Sequence, residues 1–217
     1  MIEKNLFDSR KEWLVARSSR IGGSDASAIV GLNPYKTNVD LWEEKTGLRL
    51  AEDISEKSYV QYGIAAEDNL RELFQLDFPQ YQVIYAENNM FLNDKYPSAH
   101  ASLDGWLIEK KTGRTGILEI KTTNILQSMQ KEKWKGRLPD NYYIQLLHYL
   151  MVTEFDFAIL KAQLKFDYGG EIVLHTRHYK IERSEVEADI EYLEQAEKRF
   201  WQQVQERQRP DQILPPL

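Results

Sequence analysis

The spacing of apolar positions divides the chain into a helical first part and a more extended second part. From about residue 57 to residue 76, apolar side chains recur at helical spacing. From residue 82 the period changes to two, which is typical of strands, in YQVIYAEN, MFLND, HASLDGWLIE and GILEIKTT. The pattern therefore predicts helices first and a sheet after them.

Capping residues indicate where the other helices begin. Three short helices precede the long one, and each has a side chain that can accept a backbone N–H at its start: Ser9, Ser24 or Asp25, and Thr37. A further helix begins at Pro139 or Asp140, since Pro is favoured at the first helical position. A last, charged helix begins at Ser184, which forms a capping box with Glu187, and runs to about Gln208.

The order of these elements indicates the fold class. Two more strand candidates, FAILKAQLKF and EIVLHTRHYKI, flank the turn residues DYGG and predict a hairpin. No linker rich in Pro, Gly or Ser interrupts the chain, so we expect one domain over residues 1–217. Helices, then a mostly antiparallel sheet that carries a helix, then a closing helix, indicate an α+β or mixed α/β fold.

The composition is that of a folded protein, with 42% hydrophobic and 29% charged residues. No stretch approaches the roughly 18 consecutive apolar residues of a membrane helix, and the first ten residues are too charged for a signal peptide. We therefore expect a soluble, cytoplasmic protein with no membrane contact. The chain has no cysteine, so a metal would be bound through oxygen or imidazole, which suits Mg²⁺.

The charge distribution gives a weaker indication. A net charge of −6 argues against a protein that coats nucleic acid. A basic cluster nevertheless lies between residues 129 and 137, where Lys131 and Arg137 accompany two further lysines and Trp134. This mixture suits contact with phosphates. A solvated helix end or loop explains the same residues equally well.

The strand GILEIKTT contains two charged residues, Glu119 and Lys121, in an otherwise apolar run. Charged side chains are rarely buried unless they are paired or bind a metal, so the strand either lies on a solvated face or lines a site. A predicted hairpin with Lys111 and Thr112 in its turn places Asp104 opposite Glu119, with Cβ atoms about 4.5 to 5.5 Å apart. Two facing carboxylates repel each other, and a divalent cation removes that repulsion.

These residues supply the parts of a metal-dependent phosphodiesterase. Asp104, Glu119, the main-chain carbonyl of Ile120 and waters complete the oxygen shell that Mg²⁺ requires. Lys121 shares a strand face with Glu119. It can therefore orient or help to deprotonate a metal-bound water and stabilise negative charge on a phosphoryl group.

Four segments resemble the YqaJ-type viral recombinases, relatives of the phage lambda exonuclease among the restriction-endonuclease-like nucleases. They are RIGGSDASAIVGLNPY, QYGIAAEDNL, SLDGW through LEIKTT, and YYIQLLHYL. They occur in the family's order over residues 20 to 149, and the first and third are quite specific together. The resemblance implies a restriction-endonuclease-like fold with a central mixed sheet flanked by helices.

The resemblance also implies a set of site residues. The expected catalytic residues are Asp104, Glu119, Lys121, Glu67 and Gln145, and the expected metal ligands are Asp104, Glu119, Ile120 and Glu67. The residues expected to bind a 5′-terminal phosphate and the DNA are Arg20, Ser27, Ser102, Lys131 and Arg137. The chain departs from the lambda-type pattern after the Glu-x-Lys strand, where Gln127 and Gln130 lie near the position of a second arginine.

The implied function is an Mg²⁺-dependent exonuclease, with Mn²⁺ as a substitute, that digests linear double-stranded DNA from its 5′ ends. It leaves 3′ overhangs for phage-type recombination. The resemblance further implies a ring-shaped homotrimer and a single-strand annealing protein as partner. Two alternatives stay open. One is a structure- or sequence-specific endonuclease on the same scaffold, and the other is a catalytically silent protein that binds DNA ends.

Overall fold

The structure, a computed structural model, describes residues 1–126 and 128–214. Its strands are β1 (Ile2–Leu6), β2 (Tyr81–Ile84), β3 (Asn89–Asn93), β4 (Gly105–Glu109), β5 (Thr115–Ile125), β6 (Phe157–Tyr168) and β7 (Glu171–Glu182). Its helices are α1 (Arg10–Ser18), α2 (Gly23–Ile29), α3 (Asn38–Lys45), α4 (Ser58–Asp77), α5 (Ser128–Lys133), α6 (Asp140–Thr153) and α7 (Glu187–Gln205).

Five strands form one mixed sheet in the order β2-β4-β5-β6-β7. The β5–β6 pair is parallel, and the other three pairs are antiparallel. The α6 side chains pack on the sheet face that carries Trp106 and Ile117, while α4 packs on the face of Leu107 and Leu118. This arrangement confirms the predicted mixed α/β fold with a central sheet flanked by helices.

The predicted hairpin register is confirmed. Gly105 pairs with Leu118 and Ile108 with Thr115, which is the register that places position 104 opposite 119. The turn is longer than predicted, however, because it covers residues 110–113, with Gly113 at a φ of +74°. Since the longer turn has the same centre as the predicted two-residue turn, the pairing does not change.

The strand predicted over HASLDGWLIE begins only at Gly105. Before it, the chain forms isolated bridges, one of them between Phe91 and Ala101. The side-chain amide of Asn89 takes the place of a strand partner, because it accepts the Leu103 N–H at 2.9 Å and donates to the Leu103 carbonyl at 2.8 Å. Asp104 therefore lies just outside the ladder.

Two capping predictions hold and two are wrong. Ser9 and Thr37 each accept the backbone N–H three residues on, as predicted. The cap of α2 is neither Ser24 nor Asp25 but Gly22, whose N–H donates to the Asp25 carboxylate at 3.1 Å. Ser184 does not cap the last helix, because it lies in a 3-10 turn before α7.

The structure also contains one strand that the sequence pattern does not predict. The strand β1 pairs antiparallel with β3 in a separate two-stranded sheet. Its five residues are mostly exposed, so they lack the alternation that marks a half-buried strand. Within the described residues, no helix combines the length and the apolar composition needed to cross a bilayer.

Candidate active site

The strand β5 lies at the centre of the sheet and carries Glu119, of which only 1% is exposed. Its Oε1 accepts hydrogen bonds from Lys121 Nζ at 2.5 Å and from Gln145 Nε2, on α6, at 2.7 Å. The other carboxylate oxygen, Oε2, is buried and has no hydrogen-bond partner within residues 1–126 and 128–214. Burial and the nearby Asp104 raise the pKa of Glu119 to about 8, against the opposing effect of Lys121.

The main chain links Asp104 to this carboxylate. Asp104 Oδ2 accepts the Ile120 N–H at 2.8 Å, which ties the end of β4 to the residue after Glu119. Lys121 remains an ammonium: burial disfavours its charge, but Glu119 and Asp104 outweigh burial and raise its pKa. Two carboxylates and a cation thus meet where β4 begins and β5 continues.

A fourth charged group reaches this cluster from α4. Burial and the Asp104 charge raise the pKa of Glu67 to about 7, while Arg71 opposes the shift. Arg71 binds Glu67 Oε1 at 2.5 Å, and its Nε donates to the main-chain oxygen of Asp104 at 2.6 Å. Arg71 was not identified from the sequence, because its link to Asp104 depends on how α4 packs against the sheet. Arg71 therefore fixes α4 relative to Asp104 and holds the Glu67 carboxylate in place.

The donor atoms suit a hard divalent cation. Glu119, Asp104 and the Ile120 carbonyl are oxygen donors, and the orphaned Glu119 Oε2 is a buried acceptor that a cation would satisfy. Among residues 1–126 and 128–214, however, no three His, Asp or Glu side chains form a metal-binding group. Arg71 binds Glu67 Oε1, so this expected metal ligand is paired with a cation, as Glu119 Oε1 is with Lys121.

These groups line one cleft of ≈ 790 Å³. All the residues expected to act in catalysis or metal binding line this cleft: Glu67, Asp104, Glu119, Ile120, Lys121 and Gln145. Ser27 and Ser102 line it as well. The fold therefore brings the segment before β4 together with residues from β5, α2, α4 and α6 on one concave surface with buried, pKa-shifted carboxylates, which is the arrangement of an enzyme site.

A family model described as the YqaJ-like viral recombinase domain matches residues 12–156. The chain belongs to the YqaJ-like viral recombinase family. The uncharacterized protein YqaJ of Bacillus subtilis (strain 168) is 32% identical over 206 residues, which are 93% of this chain and 58% of that protein. This YqaJ-like chain thus spans less than two thirds of the length of the curated relative that it matches.

Solved structures share the fold of this YqaJ-like domain. An alkaline exonuclease, LHK-Exo from Laribacter hongkongensis, matches with a TM-score of 0.62 and 16% identity, covering 92% of this chain and 96% of that one. A phage related exonuclease from Haemophilus somnus 129PT matches with a TM-score of 0.54 and 13% identity, covering 89% and 98%. At these identities the likeness establishes the fold alone.

The basic residues expected to bind DNA do not come together in the YqaJ-like domain. Arg20 is absent from the cleft lining, and its Nη1 lies 3.4 Å from Ser19 Oγ. Lys131, whose Nζ lies 5.7 Å from the Phe166 ring, and the exposed Arg137 also lie outside the lining. Gln127 lies outside the described residues.

Two other arginines line the cleft instead. Arg10 and Arg17 of α1 flank the Trp13 ring, with guanidinium carbons 5.7 and 4.1 Å from its centre. In the same cleft Ser102 Oγ is buried and without a hydrogen-bond partner among the described residues. The spacing of Arg10, Trp13 and Arg17 by three and four residues, which puts them on one helix face, was the available sequence signal.

Two buried histidines lie beside the site. His148 Nε2 donates to the His100 carbonyl at 2.8 Å, and its Nδ1 is hydrogen-bonded to Glu197 Oε1 at 2.7 Å. Burial opposes its charge, but Glu197 and the carbonyl outweigh burial and raise the pKa of His148. Burial, with Arg17 nearby, lowers the pKa of His100 to about 2. His148 thus binds α6, which carries Gln145, to α7.

Proposed function

We propose that this chain is a metal-dependent deoxyribonuclease that degrades linear double-stranded DNA from its 5′ ends and leaves 3′ overhangs for recombination. The observation that carries the proposal is the buried Glu119 carboxylate next to Asp104. One of its oxygens is bound by Lys121 and Gln145, and the other has no partner in the part of the chain that the structure describes. Two solved structures that share the fold are those of an alkaline exonuclease and a phage related exonuclease, which supports this reaction class.

The residues of the cleft have separate tasks in this reaction. Mg²⁺, or Mn²⁺ as a substitute, would be held by Asp104, Glu119 and the Ile120 carbonyl, and it supplies charge neutralisation at the phosphate and an acidified water. Gln145 fixes Glu119 Oε1, and Oε2 would then be the oxygen available to a metal. The Lys121 ammonium donates to the attacking water or to the phosphoryl oxygens as negative charge develops.

Polarity and assembly follow the family resemblance. Attack at the 5′ end requires that the cleft accept a terminal phosphate, and Ser27, Ser102 and the α1 arginines are the candidate contacts. A homotrimeric ring around the duplex and a single-strand annealing protein as partner complete the proposal. Glu67, bound to Arg71, acts by holding α4 beside Asp104.

The test is cleavage of linear duplex DNA, labelled at the 3′ end of one strand, in Mg²⁺ or in EDTA. We expect stepwise loss from the 5′ end that EDTA abolishes, and a rate loss of roughly 10²–10³-fold in Asp104→Asn and in Lys121→Met. Matched controls are Asp94→Asn and Lys198→Met, which change exposed residues outside the cleft lining.

Three results would contradict the proposal in different ways. Wild-type rates in both Asp104→Asn and Lys121→Met would show that the mechanism is wrong. Nicking of covalently closed circular DNA would indicate an endonuclease on the same scaffold. Binding to DNA ends without any cleavage in Mg²⁺ or Mn²⁺ would indicate a silent end-binding protein.

A further inference from the structure

Three tyrosines from separate parts of the chain line the same cleft as Glu119. Tyr35 lies between α2 and α3, Tyr59 in the first turn of α4, and Tyr142 in the first turn of α6. Tyr35 is 90% exposed and Tyr59 is 52% exposed, whereas tyrosine rings are more often partly buried. Because more than 20 residues separate each one from the next, only the fold brings them to one surface.

The three side chains share one cleft of ≈ 790 Å³ and differ in how firmly they are held. The Tyr142 ring is supported from behind by the buried Trp134, at 5.5 Å between ring centres. One ring of the group is therefore held in place, while the other two present exposed faces to the cleft.

This tyrosine group adjoins the reacting centre. Lys121 Nζ lies 5.5 Å from the centre of the Tyr142 ring and 2.5 Å from Glu119 Oε1. A phosphate at Lys121 would therefore bring the base of the same or the next nucleotide to the tyrosines. Stacking on aromatic rings is the usual way in which proteins hold unpaired bases, whereas bases inside a duplex are already stacked on each other.

We propose that Tyr35, Tyr59 and Tyr142 form a stacking platform for an unpaired nucleobase next to the scissile phosphodiester. The cleft then takes the terminal nucleotides of the cleaved strand in single-stranded form, and the tyrosines determine this preference. This inference rests on the proposed nuclease function for the position of the phosphate. It assigns the choice between paired and unpaired ends to residues that take no part in the chemistry.

The test uses oligonucleotide duplexes with 2-aminopurine as the first or second nucleotide of an unpaired 5′ end, bound by the full chain in EDTA. We expect binding to quench the fluorescence, because 2-aminopurine is quenched when it stacks. In Tyr35→Leu and Tyr59→Leu, quenching should disappear, and affinity for the unpaired end should fall roughly 5- to 150-fold. Tyr35→Phe and Tyr59→Phe keep the ring and should retain both.

Tyr192→Leu is the matched control, since Tyr192 is 64% exposed on α7 and outside the cleft lining. Unchanged quenching in both Leu variants, or no quenching by the wild-type protein, would overturn the platform. Because the assay runs in EDTA, it is independent of cleavage. If quenching depends on the tyrosines but the protein never cleaves DNA in Mg²⁺, the platform is supported and the proposed nuclease function is contradicted. If the protein cleaves DNA normally and the Leu variants quench as the wild type does, the nuclease function is supported and the platform is contradicted.

Discussion

The neutral amide of Gln145 determines the orientation of the Glu119 carboxylate. A carboxylate at this position would add a further negative charge to Asp104 and Glu119, which already repel each other and raise the pKa of Glu119. Gln145 instead donates to Glu119 Oε1 at 2.7 Å and to the Tyr149 hydroxyl at 2.9 Å. The amide therefore orients the carboxylate, while Tyr149 orients the amide.

The two arginines of α1 give a prediction about end recognition. Arg17→Ala should reduce the preference for 5′-phosphate over 5′-hydroxyl ends by about 10-fold or more, because a charge-assisted hydrogen bond contributes roughly 1.5–3 kcal/mol. Arg20→Ala should change the preference little, since Arg20 does not line the cleft. The measurement is the ratio of kcat/KM on the two kinds of end.

The opposite result has a clear meaning. If Arg20→Ala removes the phosphate preference and Arg17→Ala does not, the residue implied by the family resemblance is the phosphate ligand. The two variants are good controls for each other, since they lie three residues apart and remove the same charge.

For single residues, the sequence predicts what local geometry determines. Asp104, Glu119 and Lys121 could be placed together because one hairpin and its register relate them. The choice between Arg17 and Arg20 could not be made, since it depends on the path of the chain after α1, where Ile21 bridges to Ala99 nearly 80 residues away. A long-range contact of this kind leaves no periodic signal.

The same distinction holds for elements. Thr37 is predictable as a cap because its partner, the Asp40 N–H, is three residues away. The start of α2 is shifted to Gly22, because Asp25 accepts the Gly22 N–H and also pairs with Lys45 of α3 at 2.9 Å. Asp25 therefore does take part in capping α2, as its residue type predicts, but tertiary contacts determine where Asp25 lies in the helix.

The packing of α2 against α6 gives a prediction at the element scale. A Cβ at Gly23 would lie 2.5 Å from Tyr149 Cε1 and 3.0 Å from Gln145 Cγ. Gly23→Ala should therefore displace both side chains, weaken the hydrogen bond to Glu119 and lower the cleavage rate by at least about 10-fold. Overpacking should also lower the free energy of unfolding by about 1–3 kcal/mol, measured in urea.

Gly116→Ala is the matched control for this prediction. Its Cβ would meet the Phe157 ring, which lies in the core on the α4 side of the sheet. We expect a similar loss of stability, with the cleavage rate per folded molecule unchanged. If Gly116→Ala and Gly23→Ala lower that rate equally, the effect of Gly23→Ala reports general destabilisation and not the position of Gln145.

The negative net charge of the chain opposes binding of the proposed substrate, which is also negatively charged. A chain with a charge of −6 repels DNA at long range, so attraction must come from the cleft alone. Contacts to phosphates weaken as the salt concentration rises. An open monomer would therefore be expected to leave its DNA after few cleavage steps at physiological ionic strength.

A ring would compensate for this repulsion, because an enclosed duplex cannot leave sideways even when the attraction is weak. We therefore expect light scattering to give a mass three times that of the 25.5 kDa chain. We also expect an enzyme already on DNA to continue after excess unlabelled DNA is added, at both low and 0.15 M salt. A monomeric mass, or a run length that falls with salt as steeply as binding does, would contradict the ring, because only an open complex depends on phosphate contacts to stay in place.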